Sequence, residues 1–389
     1  MEKIFDNTQV AFSLKSDTEL ERAYFLFKLI ANQPLVRIGT AVTNFAIKAH
    51  LPVEGLIRAT VFDHFCGGIN EADCLPVVDK MFTKGVSSVL DYSVEGKEEE
   101  AQFDAALAMT LRTIDFAKEK DSIPFAVFKP TGFGRFELYE KVGANIKLSE
   151  SEELEWSKIM RRFDTVCRTA YEKDVALLID AEESWMQDAA DQLVTQMMRK
   201  YNKDKAIVFN TLQMYRHDRL EYLKNLHKQA QEHGFFIGMK LVRGAYMEKE
   251  NTRAQEKGYP SPICSSKQAT DDNFNAAVEY MTSHLDKMSV FAGTHNEESS
   301  YRLMEILAEK NLAKNDSRVW FGQLYGMSDN ISYNLAAAGF NVAKYLPFGP
   351  VRDVMPYLIR RAEENTSVAG QTSRELTLLK TERTRRKND

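Results

Sequence analysis

The stretch VALLIDA at 175–181 is apolar at nearly every position and then delivers a carboxylate, Asp180. Near-continuous apolarity over so short a run marks a strand buried on both faces, as in a parallel sheet covered by helices. Seven further runs share the form. They are SSVLDYS ending near Ser93, FAVFKPT at 125–131, AIVFNTLQ at 206–213, FIGMKLV at 236–242, SVFAGTH at 289–295, VWFGQLYG at 319–326 and NVAKYLPFG at 341–349. A polar or Gly-containing turn and an amphipathic helical stretch follow each run, and every interval except the last leaves room for a helix and two loops. Eight parallel strands predict a closed (β/α)8 barrel. A doubly wound open sheet would show the same alternation. The polar residues favour the barrel: Lys129, Asp180, Gln213, Lys240, Arg243, His295, Gln323 and Tyr345 fall at or near the carboxyl ends of the runs. A barrel gathers those ends on one rim, whereas an open sheet spreads them along an edge.

The remaining sequence sets the surroundings of that barrel. Residues 1–60 read as a helical N-terminal extension, with Ser16 and Glu19 in capping-box form ahead of AYFLFKLI. The barrel itself is expected over 61–370. A C-terminal helix with a basic tail, RTRRK at 383–387, occupies 371–389 and reads as a solvated, frayed end or as a contact for anionic lipid. Composition is that of an ordinary soluble protein, 44% hydrophobic and 28% charged over 389 residues, which excludes disordered and collagen-like classes. With 51 Lys plus Arg against 56 Asp plus Glu, the net charge of −5 predicts no nucleic-acid partner. The amino terminus lacks the layout of a signal peptide and no apolar stretch reaches bilayer length, so a cytoplasmic location is expected. Cys66, Cys74, Cys167 and Cys264 are scattered, as reduced structural thiols are. His64, Cys66 and Cys74 lie close to Asp63 and Asp73 but match no zinc spacing, and no metal is expected.

The common glycine loops for dinucleotides and nucleotides are absent, as are the H-E-x-x-H and G-x-S-x-G motifs. Chemistry must come from elsewhere. In VRDVMPYLIRRAEEN, Tyr357, Arg360 and Arg361 stand at i, i+3 and i+4 of a helix, close enough to converge on one ligand. Two planar guanidiniums beside an aromatic ring suit the carboxylate of an amino or keto acid. The alternative is a solvated face paired with Glu363 and Glu364. Lys129 reads as a Schiff-base nucleophile or a plain cation, Asp180 as a base, an ion-pair partner or a cap, and His295 alone as a hydrogen-bonded structural residue.

Read together, KLVRGAYMEKE at 240–250 and YLPFGPVRDVMPYLIRRAEENTS at 345–367 closely resemble the proline dehydrogenase family. Supporting matches run in family order: DYSVE at 91–95, FKPTG at 128–132, LLIDAEES at 177–184, GTHN at 293–296 and FGQLYGM at 321–327. The resemblance covers roughly residues 60–370 and implies an FAD-dependent (β/α)8 enzyme that oxidises L-proline to 1-pyrroline-5-carboxylate, the first step of proline catabolism to glutamate. It implies that Lys129, Arg360 and Arg361 clamp the substrate carboxylate, that Leu324, Tyr345 and Tyr357 surround the ring, that Asp180 organises the site, and that Glu95 pairs with Arg360 over it.

For FAD, the resemblance points to Gln213, Lys240, Val242, Arg243, Gly244, Ala245, Tyr246, Thr294, His295, Asn296, Gln323 and Glu364. One departure stands out: many bacterial members carry Arg where Lys240 stands and Lys where Arg243 stands. Charge is preserved, but hydrogen-bond geometry is not. Family members commonly pass electrons to membrane quinones, which implies peripheral contact at the inner membrane face. Competing expectations are a hydroxyproline dehydrogenase, disfavoured because Tyr345 would crowd a ring hydroxyl, a Schiff-base aldolase using Lys129 or Lys240, and a silent amino-acid-binding barrel.

Overall fold

The computed structural model describes residues 3–32, 34–36, 39–41, 54–93, 98–367 and 371–389, with the side chains of residues 56, 59, 362–367, 371 and 372 outside the description. Eight parallel strands close into a barrel in sequential order. They are β1 (Val86–Tyr92), β2 (Phe125–Phe128), β3 (Ala176–Ile179), β4 (Val208–Gln213), β5 (Ile237–Val242), β6 (Met288–Gly293), β7 (Val319–Leu324) and β8 (Val342–Phe348). Each lies within or overlaps one of the eight runs read from the sequence. Buried residues fill almost every strand position, the consequence of having a barrel interior on one side and helices on the other.

Two boundaries differ from the expectation in an informative way. FAVFKPT stops pairing at Phe128, because Pro130 has no N–H to donate and opens a 3₁₀ turn over Pro130–Gly132. Lys240 and Tyr345 lie inside β5 and β8 rather than past their ends, since ladder pairing continues to Val242 opposite Gln213 and to Phe348 opposite Tyr92.

The chain forms two compact units, Met1–Glu95 with Gln323–Asp389, and Gly96–Gly322. In the second, α3 (Glu100–Glu119), α4 (Phe136–Gly143), α5 (Glu150–Lys173), α6 (Ser184–Tyr201), α7 (Arg219–His233), α8 (Met247–Lys257), α9 (Lys267–Thr282) and α10 (Glu297–Glu309) accompany β2 to β6. Aromatic rings pack together between these strands. Phe125 meets Phe209, Phe291 and Trp320 edge to face at centroid separations of 5.9, 5.2 and 5.1 Å. Gly322 lies against the Phe291 ring, in space a β-carbon would occupy.

In the first unit, β1 and β8 pair in register from Val86↔Val342 to Tyr92↔Phe348. Around them lie α1 (Asp17–Ile30), α2 (Glu71–Phe82), α11 (Asp329–Ala337), α12 (Met355–Ser367) and α13 (Gln371–Asn388). The predicted capping box at Ser16 and Glu19 is present at the start of α1. Leu378 and Leu379 of α13 share a core cluster with Phe12, Leu20 and Phe27. The arginines of the basic tail are therefore paired on the fold, while Lys387 is exposed. Arg383 pairs with Glu21 at 2.6 Å and lies over the Tyr24 ring, while Arg385 and Arg386 bond to the fully buried Glu382 at 2.9 and 2.8 Å. An apolar stripe with no exposed alternative drives α13 down, and its arginines follow.

A buried charge cluster ties these segments together. Asp329 at the start of α11 accepts Lys15 at 3.0 Å and Lys344 of β8 at 2.7 Å. Glu375 of α13 is buried beside them and accepts the backbone N–H of Ser328. His64 donates Nε2–H to the Gly326 carbonyl, 3.0 Å away, and its ring packs edge-on to Phe27 and Phe65. No group of three potential metal ligands occurs among the described residues.

Burial pushes the Glu375 carboxyl from 4.5 up to about 7, helped by Asp329 and opposed by Lys344 and Lys15. Between pH 4.5 and 7 the folded protein thus holds a proton that the unfolded chain has released, so this group's contribution to stability is lost as pH rises across that window. His64, pushed down to about 3 by burial and by Lys15, contributes the opposite slope below pH 6.5. Subtracting a Glu375→Gln variant isolates the first effect. The difference in unfolding free energy should shift toward the variant by on the order of 3 kcal/mol from pH 4.5 to 7, measured by denaturant titration at several pH values.

Candidate functional site

Pro130 ends β2 and leaves Lys129 extended just beyond it. The turn that follows is held from two sides: the buried Tyr139 hydroxyl donates to the Pro130 carbonyl at 2.7 Å, and Thr131 donates its N–H (3.0 Å) and its hydroxyl (2.6 Å) to the Glu182 carboxylate. β3 also ends in a loop of polar residues, DAEES at 180–184. The Asp180 N–H donates to the Phe128 carbonyl at 3.0 Å, carrying the ladder one residue past the strand.

Asp180 accepts Lys129 on Oδ2 at 3.2 Å and Lys240 on Oδ1 in a shorter contact. All three side chains are at most 14% exposed. Burial pushes the Asp180 carboxyl up, but Lys240 and Lys129 outweigh it and hold the group below the usual carboxylate range. Asp180 therefore stays ionised at neutral pH and is a poor proton acceptor. Two lysines share this one carboxylate, and cationic side chains gathered in a largely buried space suit an anionic ligand.

Gln213, the last residue of β4, is buried and donates Nε2 to the Glu182 main-chain carbonyl at 2.8 Å. Its Oε1 has no hydrogen-bond partner among the described residues. The turn after β5 runs through Val242, Arg243, Gly244, Ala245 and Tyr246. The Val242 and Arg243 carbonyls accept the N–H groups of Met214 and Tyr215, each at 2.7 Å. Gly244 has φ = +132°, and a β-carbon there would stand 2.5 Å from the Tyr215 ring, so only glycine fits. Arg243 is held at Nε by Asp271 (2.7 Å), and its terminal nitrogens donate to Thr294 Oγ1 (2.7 Å) and Ser299 Oγ (2.9 Å). Its guanidinium stacks 4.6 Å from the Phe274 ring. Thr294 also accepts the Asn296 N–H at 3.1 Å, and Asn296 caps α10 through Ser299. His295 is half-buried between them.

The charged helix α8 is tied to the loop after β3. Glu250, fully buried, accepts both the N–H and the hydroxyl of Ser184 at 2.6 Å, and Lys249 pairs with Glu183 at 3.0 Å. Arg253 pairs with Glu140 and stacks on Trp185. None of these partnerships was read from the sequence. Glu182, Thr131 and Glu250 are the residues that sequence reasoning missed. Glu182 alone carried a signal, an acidic residue shortly past a strand end.

In the first unit, α12 carries Tyr357, Arg360 and Arg361 as the spacing predicts. Tyr357 and Arg361 are buried, with the guanidinium 5.1 Å from the ring centroid, and Arg360 is half-buried. Burial of Arg361 departs from the solvated-face alternative. Leu324 packs against the cluster containing Tyr357, Tyr345 is buried, and Gln323 Oε1 accepts the Ser332 hydroxyl at 2.9 Å. Glu95 and the side chain of Glu364 fall outside the described residues.

The family model described as Proline dehydrogenase matches residues 74–374. The chain is 37% identical over 363 residues to the carbapenem antibiotics biosynthesis protein CarD of Pectobacterium carotovorum subsp. carotovorum, covering 92% of this chain and 94% of that one. It is 40% identical over 243 residues to the mitochondrial proline dehydrogenase 1 of Homo sapiens, covering 62% and 40% respectively. Among solved structures, proline utilization A from Bdellovibrio bacteriovorus, inactivated by N-propargylglycine, superimposes with a TM-score of 0.71 at 21% identity, over 94% of this chain and 37% of that one. The chain thus spans less than half the length of the last two.

Asp180→Asn would take from Lys129 and Lys240 the carboxylate that they share. An unfolding free energy lower by about 3–5 kcal/mol is expected, read from denaturant melts at pH 7.

Proposed function

The chain belongs to the proline dehydrogenase family, whose members are oxidoreductases acting on proline, and we propose that it oxidises L-proline to 1-pyrroline-5-carboxylate with FAD as its cofactor. The observation that carries this reading is the largely buried Lys129–Asp180–Lys240 cluster, in which two lysine side chains meet at one carboxylate where a carboxylate ligand would find cations.

Two features support FAD. The buried Oε1 of Gln213 awaits a donor, and an N–H on the polar edge of the isoalloxazine supplies one. Gly244 opens a turn in which a side chain would collide with Tyr215, the kind of bare backbone that lets a flat ligand approach. When bound, FAD supplies the acceptor for the hydride leaving the ring carbon next to the proline nitrogen. The chain's own residues do the rest. Lys129, Arg360 and Arg361 hold the substrate carboxylate; Leu324, Tyr345 and Tyr357 pack around the pyrrolidine ring; Glu95 pairs with Arg360. Asp180 keeps the two lysines in place and, being held ionised, takes no proton from the substrate amine, which binds deprotonated.

Gln213, Lys240, the segment Val242, Arg243, Gly244, Ala245 and Tyr246, and Thr294, His295, Asn296, Gln323 and Glu364 are assigned to the cofactor. Arg243 serves there by fixing Thr294. A quinone at the membrane surface is the proposed final electron acceptor, reached by peripheral contact, and no described helix is long and apolar enough to cross a bilayer.

An absorption spectrum tests the reading. Purified protein should show a band near roughly 450 nm that bleaches on adding L-proline. Colourless protein trapped by borohydride with a carbonyl substrate would overturn it, and faster turnover of trans-4-hydroxyproline than of proline would reassign the substrate. Arg361→Met should raise the Michaelis constant for proline sharply, since loss of a buried charged partner costs on the order of 2–5 kcal/mol. Steady-state kinetics with an unchanged Michaelis constant would remove Arg361 from the carboxylate clamp.

A further inference from the structure

We propose that Glu182 is a positioning residue for substrate binding, acting through Thr131 to set the backbone from which Lys129 projects. The inference rests on the reading of Lys129 as a substrate-carboxylate cation.

The segment Lys129–Pro130–Thr131 follows the end of β2 at Phe128 and enters the turn over Pro130–Gly132. Three contacts hold it. Asp180 holds the Lys129 ammonium at 3.2 Å, Tyr139 holds the Pro130 carbonyl at 2.7 Å, and Glu182 takes both donors of Thr131 at 3.0 and 2.6 Å. A two-point grip by one carboxylate fixes orientation as well as distance, and the rigid φ of Pro130 passes that orientation back to Lys129. Asp180 and Glu182 thus grasp the same neighbouring segment at its charged tip and at its backbone.

Glu182 is itself anchored. It is buried, and its N–H donates to Gln187 Oε1 at 3.0 Å, with Gln187 bonded in turn to Asp191. Its main-chain carbonyl accepts Gln213 Nε2 at 2.8 Å. Because a carbonyl only accepts, this contact turns the Gln213 amide so that Oε1 faces the other way. The side chain of Glu182 therefore serves the lysine segment and its backbone serves Gln213, so a side-chain substitution separates the two roles.

The test uses the full-length holoenzyme. Thr131→Val is nearly isosteric and deletes one of the two donors, while Glu182→Gln weakens the acceptor of both. Lys129 binds the carboxylate equally in ground and transition states, so its misplacement should appear in KM. Each variant should raise KM for L-proline by about 3- to 10-fold, the value of one neutral hydrogen bond. The kcat and the flavin absorption band should stay at wild-type values, because Gln213 is held by main chain. Thr131→Ser, which keeps the hydroxyl, should match the wild type. The inference is overturned by unchanged KM in Thr131→Val and Glu182→Gln, by equal KM shifts in the Ser and Val variants, or by a fall in kcat alone. Wild-type protein that fails to oxidise proline would instead overturn the functional reading beneath it.

Discussion

Lys129 and Lys240 put two ammonium groups into a largely buried space on residues from β2 and β5, and the structure is viable because Asp180 stands between them. Neither cation could be desolvated there alone. The constraint reaches outward from that carboxylate. β3 must end where Asp180 can reach both neighbours, β2 must break at Pro130 so that Lys129 turns toward it, and β5 must carry Lys240 within the strand rather than beyond it.

The same device recurs in the other unit. Asp329 stands between Lys15 and Lys344 and links the N-terminal segment and β8 to α11, with Glu375 adding α13. In both places a buried carboxylate joins segments that are distant in sequence, and its ionisation is maintained against burial by two lysines. Such clusters contribute little net energy but strongly disfavour arrangements in which one partner is missing.

Around Asp180, the five residues DAEES form a bracket. Asp180 takes the lysines, Glu182 takes Thr131 and Gln213, Glu183 takes Lys249, and Ser184 takes Glu250. The segments assigned to substrate and to cofactor in this unit, FKPTG, Gln213 and VRGAYMEKE, are each fastened to this one loop. The Lys240 and Arg243 departure from the bacterial pattern is accommodated because each cation has its own acidic partner, Asp180 for one and Asp271 for the other.

Much of this was legible in advance because it depends on local pattern. VALLIDA and its counterparts read as strands buried on both faces, since apolar run length and spacing follow from burial alone, and the polar residues at their ends favoured a shared rim over an open edge. The Tyr357, Arg360 and Arg361 helix was legible for the same reason, as was the Ser16 capping box. What tertiary structure decided were the partnerships: Asp180 with two lysines rather than as a base, Arg243 with Asp271 and Ser299, Glu250 with Ser184, and RTRRK folded onto α1 rather than free. These pairs are separated by tens to hundreds of residues, and no periodicity encodes them. A charged side chain looks the same in sequence whether water or another side chain solvates it, and only the fold determines which of the two it meets.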